Sequence, residues 1–164
     1  MSIILSPQDM AEYLKPSARL LGLDLGTKTI GIAMAVLSIG IATPFFTIRR
    51  IKFQLDAQAL MATVRKEQID ALVLGMPFHM DGSEGRRAQS TRAFVRNLAA
   101  FSAPPVLFWD ERLSSAAADD RLIEAGVSHS RRETMIDAIA AQFILQDAID
   151  GLKALTRERF DTSE

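Results

Sequence analysis

Hydrophobic residues in the first third of the chain fall into short runs separated by turn-forming residues. A serine cap followed by proline at the first helical position predicts a short helix over residues 6–14. Apolar runs over residues 19–24, 29–37 and 41–48 predict three strands joined by tight turns. Pro44 lies in the third run and cannot donate to a neighbour on both sides, which favours an edge strand. The pattern predicts a three-stranded antiparallel meander behind an N-terminal helix.

The rest of the chain alternates between helical and strand patterns. Apolar residues at helical spacing predict helices, and short continuous apolar runs predict buried strands. Three antiparallel strands followed by α-β-α-β-α predict an α/β fold with a mixed five-stranded sheet and helices on both faces. The predicted elements are helix 55–68, strand 71–74, helix 85–101, strand 106–109, helix 114–126 and helix 131–149, the last of them ended by Gly151.

Length and composition narrow the class of protein. A chain of 164 residues with 48% hydrophobic residues suits one folded domain. We predict an N-terminal helical extension at 1–17 packed on the domain edge, the domain itself at 18–152, and a C-terminal tail at 153–164. The absence of cysteine excludes a disulfide framework, a thiolate zinc site and a cysteine nucleophile. No apolar run approaches the ~20 residues that cross a bilayer, and we expect a cytoplasmic protein that does not bind membranes.

Arginine is concentrated in one part of a chain whose net charge is only −1. Its rigid fork of donors suits phosphate better than the point charge of lysine does. The charge pattern alone leaves two interpretations equal, a phosphate-binding surface and solvated helix faces. The eight arginines in this part of the chain, which contains no lysine, are Arg86, Arg87, Arg92, Arg96, Arg112, Arg121, Arg131 and Arg132.

Three carboxylates are expected at one edge of the predicted sheet. Asp24 ends the first strand, and Glu111, with Asp110 as its alternate, ends the fifth. Ligands of such sheets bind beyond the carboxyl ends of the parallel strands. Asp137 lies in the middle of a small-residue face of the last helix that suits close packing on the sheet, given about 100° per residue. That face consists of Ala140, Ala141, Ile144 and Ala148.

A divalent metal accounts for the three acids together. An ionised carboxylate buried without a partner is strongly unfavourable, and carboxylates are the usual protein ligands of Mg²⁺. Two such ions would activate water and stabilise the leaving oxygen in phosphodiester hydrolysis. Each acid alone also has a structural interpretation: a turn residue for Asp24, a strand-end ion pair for Glu111 and a buried ion pair with arginine for Asp137.

Four segments, in order, resemble the motifs of the YqgF/RuvX family. The resemblance extends from residue 19 to about residue 150. It implies a ribonuclease H-like fold and a nuclease of a kind first proposed as a Holliday-junction resolvase and now regarded as maturing the 5′ end of pre-16S ribosomal RNA. The segments are GLDLGTKTIGIA (22–33), LGMPFHMDGSE (74–84), DERLSS (110–115) and IDAIAAQFIL (136–145).

The resemblance also implies roles for matching residues. Asp24, Glu111 and Asp137 would be the catalytic acids and the ligands of Mg²⁺ or Mn²⁺, with Glu111 favoured over Asp110. The partner would be nucleic acid, either pre-16S rRNA within a pre-ribosomal particle or branched DNA, bound by a monomer or a homodimer. The residues expected to contact nucleic acid are Thr27, Lys28, Arg86, Arg87, Arg112, Arg131 and Arg132.

Three other functions remain open from the sequence. A DNA junction resolvase would present the same acids to a different phosphate backbone. A non-catalytic RNA-binding factor for ribosome assembly would keep the fold without the activity. The stretch from Asp24 to Thr27 also resembles the phosphate loop of actin-like ATPases, but those proteins close two related domains on the nucleotide, and this chain has the length of one.

Overall fold

Five strands and four α-helices make up the described part of the chain, which is residues 3–110, 126 and 129–161 of a computed structural model. In the last helix, side chains are described from residue 135 to residue 157. The strands are β1 (Arg19–Leu25), β2 (Thr29–Val36), β3 (Thr43–Arg49), β4 (Ala71–Met76) and β5 (Val106–Asp110). The helices are α1 (Pro7–Tyr13), α2 (Phe53–Lys66), α3 (Arg86–Leu98), followed by the 3₁₀ turn Ala99–Phe101, and α4 (His129–Asp161).

The strands form one mixed sheet in the order β3-β2-β1-β4-β5. β1, β2 and β3 are antiparallel neighbours, whereas β4 and β5 run parallel to β1. The mixed five-stranded sheet predicted from the sequence is therefore confirmed. β3 occupies an edge, as Pro44 predicted. β1 lies at the centre, so its carboxyl end is flanked by a strand on each side.

Helices cover both faces of the sheet, as predicted. Leu21, Leu23 and Leu25 of β1 point into a core shared with α2 and α3. Leu20 points the other way, into a core shared with α1 and α4. This alternation follows from the two-residue period of a strand. Each fully buried leucine stabilises the fold by about 1.5–3 kcal/mol relative to exposure, which explains why the central strands are almost wholly apolar.

The third strand begins two residues later than the sequence predicted. Ile41 is exposed, and the backbone N–H of Ala42 donates to Oε1 of Gln146 at 2.9 Å rather than to a neighbouring strand. The amide of Gln146 also donates to the carbonyl of Gly40 at 2.8 Å. A helix side chain thus takes the backbone bonds that would otherwise extend the strand. Of the helix predicted over 114–126, residues 114–125 lie outside the described residues, and residue 126 is in a turn.

The prediction that Gly151 ends the last helix was wrong, because α4 continues through it to Asp161. A Cβ built on Gly151 would lie 2.6 Å from Cη2 of Trp109. The glycine is therefore a packing residue that lets the helix approach the Trp109 ring. None of the helices in the described ranges has both the length and the apolar character needed to cross a membrane.

The N-terminal segment packs against the domain edge. Ser6 Oγ accepts the N–H of Asp9 at 3.1 Å, which confirms the predicted serine cap of α1. The N–H of Val106 donates to the carbonyl of Ile3 at 2.7 Å, and the N–H of Leu5 donates to the carbonyl of Val106 at 2.8 Å. Met10 is fully buried in the core shared with α4. The segment thus covers part of the β5 edge and contributes to the core.

Candidate functional site

Asp24 is the next-to-last residue of β1 and is 8% exposed. Its partner in the β1–β2 ladder is Gly31. Directly opposed residues of an antiparallel pair point to the same face of the sheet, and Leu20, four residues before Asp24, lies in the core beneath α4. The side chain of Asp24 therefore points to the face that α4 covers, close to the end of the central strand.

Asp137 approaches this point from α4. A Cβ added to Gly31 would overlap the backbone carbonyl of Asp137, so the glycine allows the helix to lie directly on the sheet. The hydroxyl of Thr29 donates to Oδ2 of Asp137 at 2.5 Å. The Asp137 side chain is half-buried, as its place on the small-residue face predicted. Asp24 and Asp137 thus both adjoin Gly31, one from β1 and the other from α4.

Asp110 lies on the other face of the sheet. In β5, Trp109 packs on the core beneath α4, whereas Phe108 packs on the core of α2 and α3. By the alternation of a strand, Asp110 shares the face of Phe108. It therefore points away from the face that carries Asp24. Glu111, the residue preferred from the sequence, lies outside the described residues.

The described ranges contain no group of three His, Asp or Glu side chains arranged to hold a metal ion. Two of the three predicted ligands, Asp24 and Asp137, are within those ranges, and both are neighbours of Gly31. Their oxygen donors are those that Mg²⁺ and Mn²⁺ prefer. The donor chemistry of the two acids fits a divalent ion.

Four of the seven predicted nucleic-acid contacts lie in two exposed segments, the turn after β1 and the start of α3. Thr27 and Lys28 are exposed in the turn between β1 and β2, and Arg86 and Arg87 are exposed in the first turn of α3. Arg112 lies outside the described residues. Residues 131 and 132 belong to the first turns of α4, and nothing is described of their side chains.

Arg92, one of the arginines of the predicted basic surface, has a structural partner instead. Its Nε donates to Oε1 of Glu84 at 2.5 Å, and its guanidinium lies over the ring of Phe108 at 5.2 Å from the centroid. The hydrogen bond from Arg92 lowers the pKa of the Glu84 carboxyl, and the same bond raises the pKa of Arg92. The pair ties the end of the loop after β4 to α3.

Two residues that contact the candidate site, Thr29 and Arg50, were not predicted from the sequence. Thr29 begins β2 and bonds Asp137, which is 108 positions away in the sequence. Arg50 follows β3, and its Nη1 donates to the carbonyl of Gly26 at 2.6 Å. A polar residue at the start of an apolar strand was a signal for Thr29. Nothing local distinguished Arg50, since its partners come from other elements.

Comparison with known proteins assigns the family. The chain matches the family model described as "RuvX: Holliday junction resolvase" over residues 18–151. A relative from Rhodobacter capsulatus, named "Putative pre-16S rRNA nuclease", is 55% identical over 149 residues, which are 91% of this chain and 94% of the relative. A relative of the same name from Agrobacterium fabrum is 52% identical over 153 residues, which are 93% of this chain and 96% of the relative.

Solved structures match the fold at low sequence identity. The yeast mitochondrial Holliday junction resolvase Ydc2 aligns with a TM-score of 0.53 at 11% identity, covering 93% of this chain and 86% of Ydc2. RuvC of Thermus thermophilus in complex with Holliday junction substrate aligns with a TM-score of 0.50 at 15% identity, covering 80% and 93%. These matches identify the ribonuclease H-like fold of RuvC-type proteins. On the family match and on relatives about half identical over nearly the whole chain, this protein belongs to the RuvX Holliday junction resolvase family.

Proposed function

We propose that this chain is a nuclease that hydrolyses phosphodiester bonds with a divalent metal held by Asp24, Glu111 and Asp137. One observation carries the proposal: Gly31, near the carboxyl end of the central strand, is the ladder partner of Asp24 and lies against the backbone of Asp137. Gly31 gives α4 the room to bring its carboxylate to that strand end. The names of the relatives agree with a nuclease.

Asp24 and Asp137 are the proposed metal ligands among the described residues, and Thr29 orients one of them. Asp24 and Asp137 supply negatively charged oxygens in a largely buried setting, where a cation offsets the cost of burying the charge. The Thr29 hydroxyl holds one oxygen of Asp137, which leaves the other to face a ligand. When bound, Mg²⁺ or Mn²⁺ supplies Lewis-acid activation of water and charge stabilisation at the leaving oxygen.

Glu111 is a better candidate than Asp110 for the third metal ligand. Asp110 lies on the face of α2 and α3. Successive residues of an extended strand point to opposite faces of the sheet, so adjacent acids at a strand end are not interchangeable. We therefore propose Glu111 as the third ligand and place Asp110 outside the metal site.

The proposed substrate is the 16S ribosomal RNA precursor, cut during maturation of its 5′ end within a pre-ribosomal particle in the cytoplasm. This substrate follows the names of the relatives. Thr27, Lys28, Arg86 and Arg87 would contact the phosphate backbone, with Arg112, Arg131 and Arg132 completing the basic surface; such contacts give affinity rather than sequence recognition. The second candidate is cleavage of branched DNA, which the description of the matching family favours.

Cleavage of a 16S rRNA precursor and a four-way DNA junction, side by side, tests both candidates. The proteins are wild type, Asp24→Asn and Asp137→Asn, each with Mg²⁺, Mn²⁺ or EDTA. Asp150→Asn is the matched control, because it removes an exposed carboxylate from the same helix as Asp137. We expect metal-dependent cutting of the RNA by wild type and by the control, and loss of cutting in both site variants with folding and RNA binding nearly unchanged.

Each other result has a definite meaning. Cutting of the junction alone would establish the DNA candidate. Full activity in either Asn variant would remove the metal-site proposal. RNA binding without cleavage of either substrate by wild type would favour a non-catalytic assembly factor.

A further inference from the structure

A polar cavity of about 360 Å³ lies beside the candidate site. One wall is the turn that follows Asp24, represented by Gly26 and Thr27. The other walls are the connection from β3 to α2 and the first two turns of α3. Because α3 covers the opposite face of the sheet from α4, the cavity and the two acids lie on either side of the same turn.

The lining of the cavity carries an excess of positive charge. Arg50, Lys52 and Arg87 contribute cations, and Asp56 contributes the single carboxylate. That carboxylate is already engaged: its Oδ2 lies 3.6 Å from Nε of Arg50, and its Oδ1 accepts the N–H of Ile51 at 3.1 Å. Lys52 and Arg87 are exposed to solvent at the cavity. The cavity therefore suits an anion.

A neutral hydrogen-bond donor and a helix dipole add to this preference for an anion. Ser90 of α3 is exposed and carries a hydroxyl on the cavity wall. Lys52 is also the N-cap of α2, and its side chain makes no capping hydrogen bond. The positive end of the α2 dipole therefore adjoins the cations of the cavity.

Arg50 joins the cavity to the turn that carries the candidate site. Its Nη1 donates to the carbonyl of Gly26 at 2.6 Å, and its backbone N–H donates to the carbonyl of Lys28 at 2.8 Å. Gly26 is two residues from Asp24, so their Cα atoms are at most about 7.6 Å apart. An anion held in the cavity would therefore lie close to a phosphate held at the acids.

We propose that this cavity binds a backbone phosphate of the substrate strand, adjacent to the phosphate that is cleaved. The proposal rests on the nuclease function proposed above. Lys52 and Arg87 contact the phosphate oxygens, and Arg50 fixes the cavity wall relative to Asp24. A strand held in this way crosses the edge of the sheet over the turn at residues 26–28, with one phosphate on each side.

The test compares two double variants, one that removes cations from the cavity and a control that removes cations elsewhere. Lys52→Ala/Arg87→Ala removes two exposed cations of the cavity. Arg65→Ala/Lys66→Ala removes two exposed cations from the far end of α2, at about 1.5 Å per residue roughly 20 Å away. Arg50 is left intact because it pairs with the buried Asp56.

Binding of single-stranded RNA is measured in EDTA by fluorescence anisotropy over a range of salt concentrations. The cavity pair is expected to bind at least about tenfold more weakly than the control pair, because two cations that contact the same phosphate are lost. The slope of log affinity against log salt should fall by about 0.7, the value for one phosphate contact on a single strand. In cleavage assays with metal, KM should rise, because the contact is made in the ground state and in the transition state alike.

The outcomes separate this proposal from the proposed function. If wild type cleaves and the cavity pair matches the control in affinity, salt slope and KM, the cavity proposal is wrong. If wild type cleaves nothing but the cavity pair still binds RNA more weakly with the reduced slope, the phosphate site stands and the nuclease proposal fails. If inorganic phosphate raises the thermal midpoint of wild type while RNA affinity is unaffected by the substitutions, the cavity serves a free anion, which overturns the assignment to the strand.

Discussion

Thr29 is the residue on which the geometry of Asp137 most directly depends. Its hydroxyl donates to Asp137 from the first position of β2, two residues before the glycine that admits the helix. A half-buried carboxylate can rotate about its terminal torsion, and a single strong hydrogen bond fixes that rotation. The site is therefore set by a contact between β2 and α4 as well as by the acids themselves.

Thr29→Val is expected to reduce activity by about 10–100-fold at limiting metal, the usual effect of losing a group that orients a metal ligand. The loss should shrink as the metal concentration is raised, because the variant retains all the ligands. Thr29→Ser, which keeps the hydroxyl, is the control and should remain near wild type. The measurement is kcat/KM against Mg²⁺ concentration; equal curves for the Val and Ser variants would show that the bond has no role.

At the scale of elements, α4 packs closely on the sheet at two points along its length, residues 137 and 151. Because Gly31 of β2 has no side chain, the backbone at Asp137 packs directly against it. Gly151 of α4 packs in the same way against the ring of Trp109. Between these points the small side chains Ala141 and Ala148 are fully buried. This close packing fixes the position of Asp137 relative to the sheet.

Gly151→Ala tests this packing. In an exposed helix the change would stabilise the protein by up to about 1 kcal/mol. Here the added methyl meets the Trp109 ring, and overpacking of this kind costs about 1–3 kcal/mol, so we expect net destabilisation. Urea unfolding gives the free energy. Adding Trp109→Phe should restore part of the loss, and a stabilised single variant would contradict the packing role.

The loop between β4 and α3 has its own anchor, the ion pair of Glu84 and Arg92. The Arg92 hydrogen bond lowers the pKa of Glu84 below its ordinary value of 4.5 in the folded protein. A lowered folded pKa means that the bond stabilises the fold above the ordinary pKa. This contribution disappears as the pH falls through the lowered one.

Glu84→Gln should therefore have a lower thermal midpoint than wild type near pH 7, and this difference should shrink as the pH falls below 4.5 through the lowered pKa. Melting curves from pH 7 down to pH 3 measure this. Glu12→Gln, an exposed carboxylate of α1, is the control and should follow wild type throughout. A difference between Glu84→Gln and wild type that stayed unchanged down to pH 3 would show that the carboxylate charge is not its source.

For the molecule as a whole, the N-terminal segment belongs to the folded core. Met10 is fully buried beneath α4, and the backbone of Ile3 and Leu5 bonds to β5. The segment thus joins the edge of the sheet to the helix that carries Asp137. Its contribution should appear in the stability of the entire protein.

Met10→Ala is expected to lower the free energy of unfolding by about 2–5 kcal/mol, as for other buried large-to-small changes. Tyr13→Ala, on the same helix but 53% exposed, should cost much less. Urea unfolding of the three proteins measures both effects. Equal stability of the two variants would show that α1 merely rests on the surface.

Much of the fold and part of the site followed from local patterns in the sequence. The apolar runs specified the strands because a buried strand must be apolar wherever helices cover both faces. Asp24 and Asp137 were identifiable for the same reason, since each interrupts an apolar segment with a charge. The third-strand boundary was less predictable because Gln146, a side chain from a distant helix, takes the backbone bonds of Gly40 and Ala42.

The sequence by itself determined the order of the elements, the mixed sheet and the two acids that interrupt its buried segments. Only the tertiary structure decided which groups meet: Thr29 with Asp137, Arg50 with the turn after Asp24, and Gly151 with Trp109. The physical reason is the range of the interaction. Periodicity and burial act between neighbours in the sequence, whereas these contacts depend on strand register and helix seating, which the whole packed core sets together.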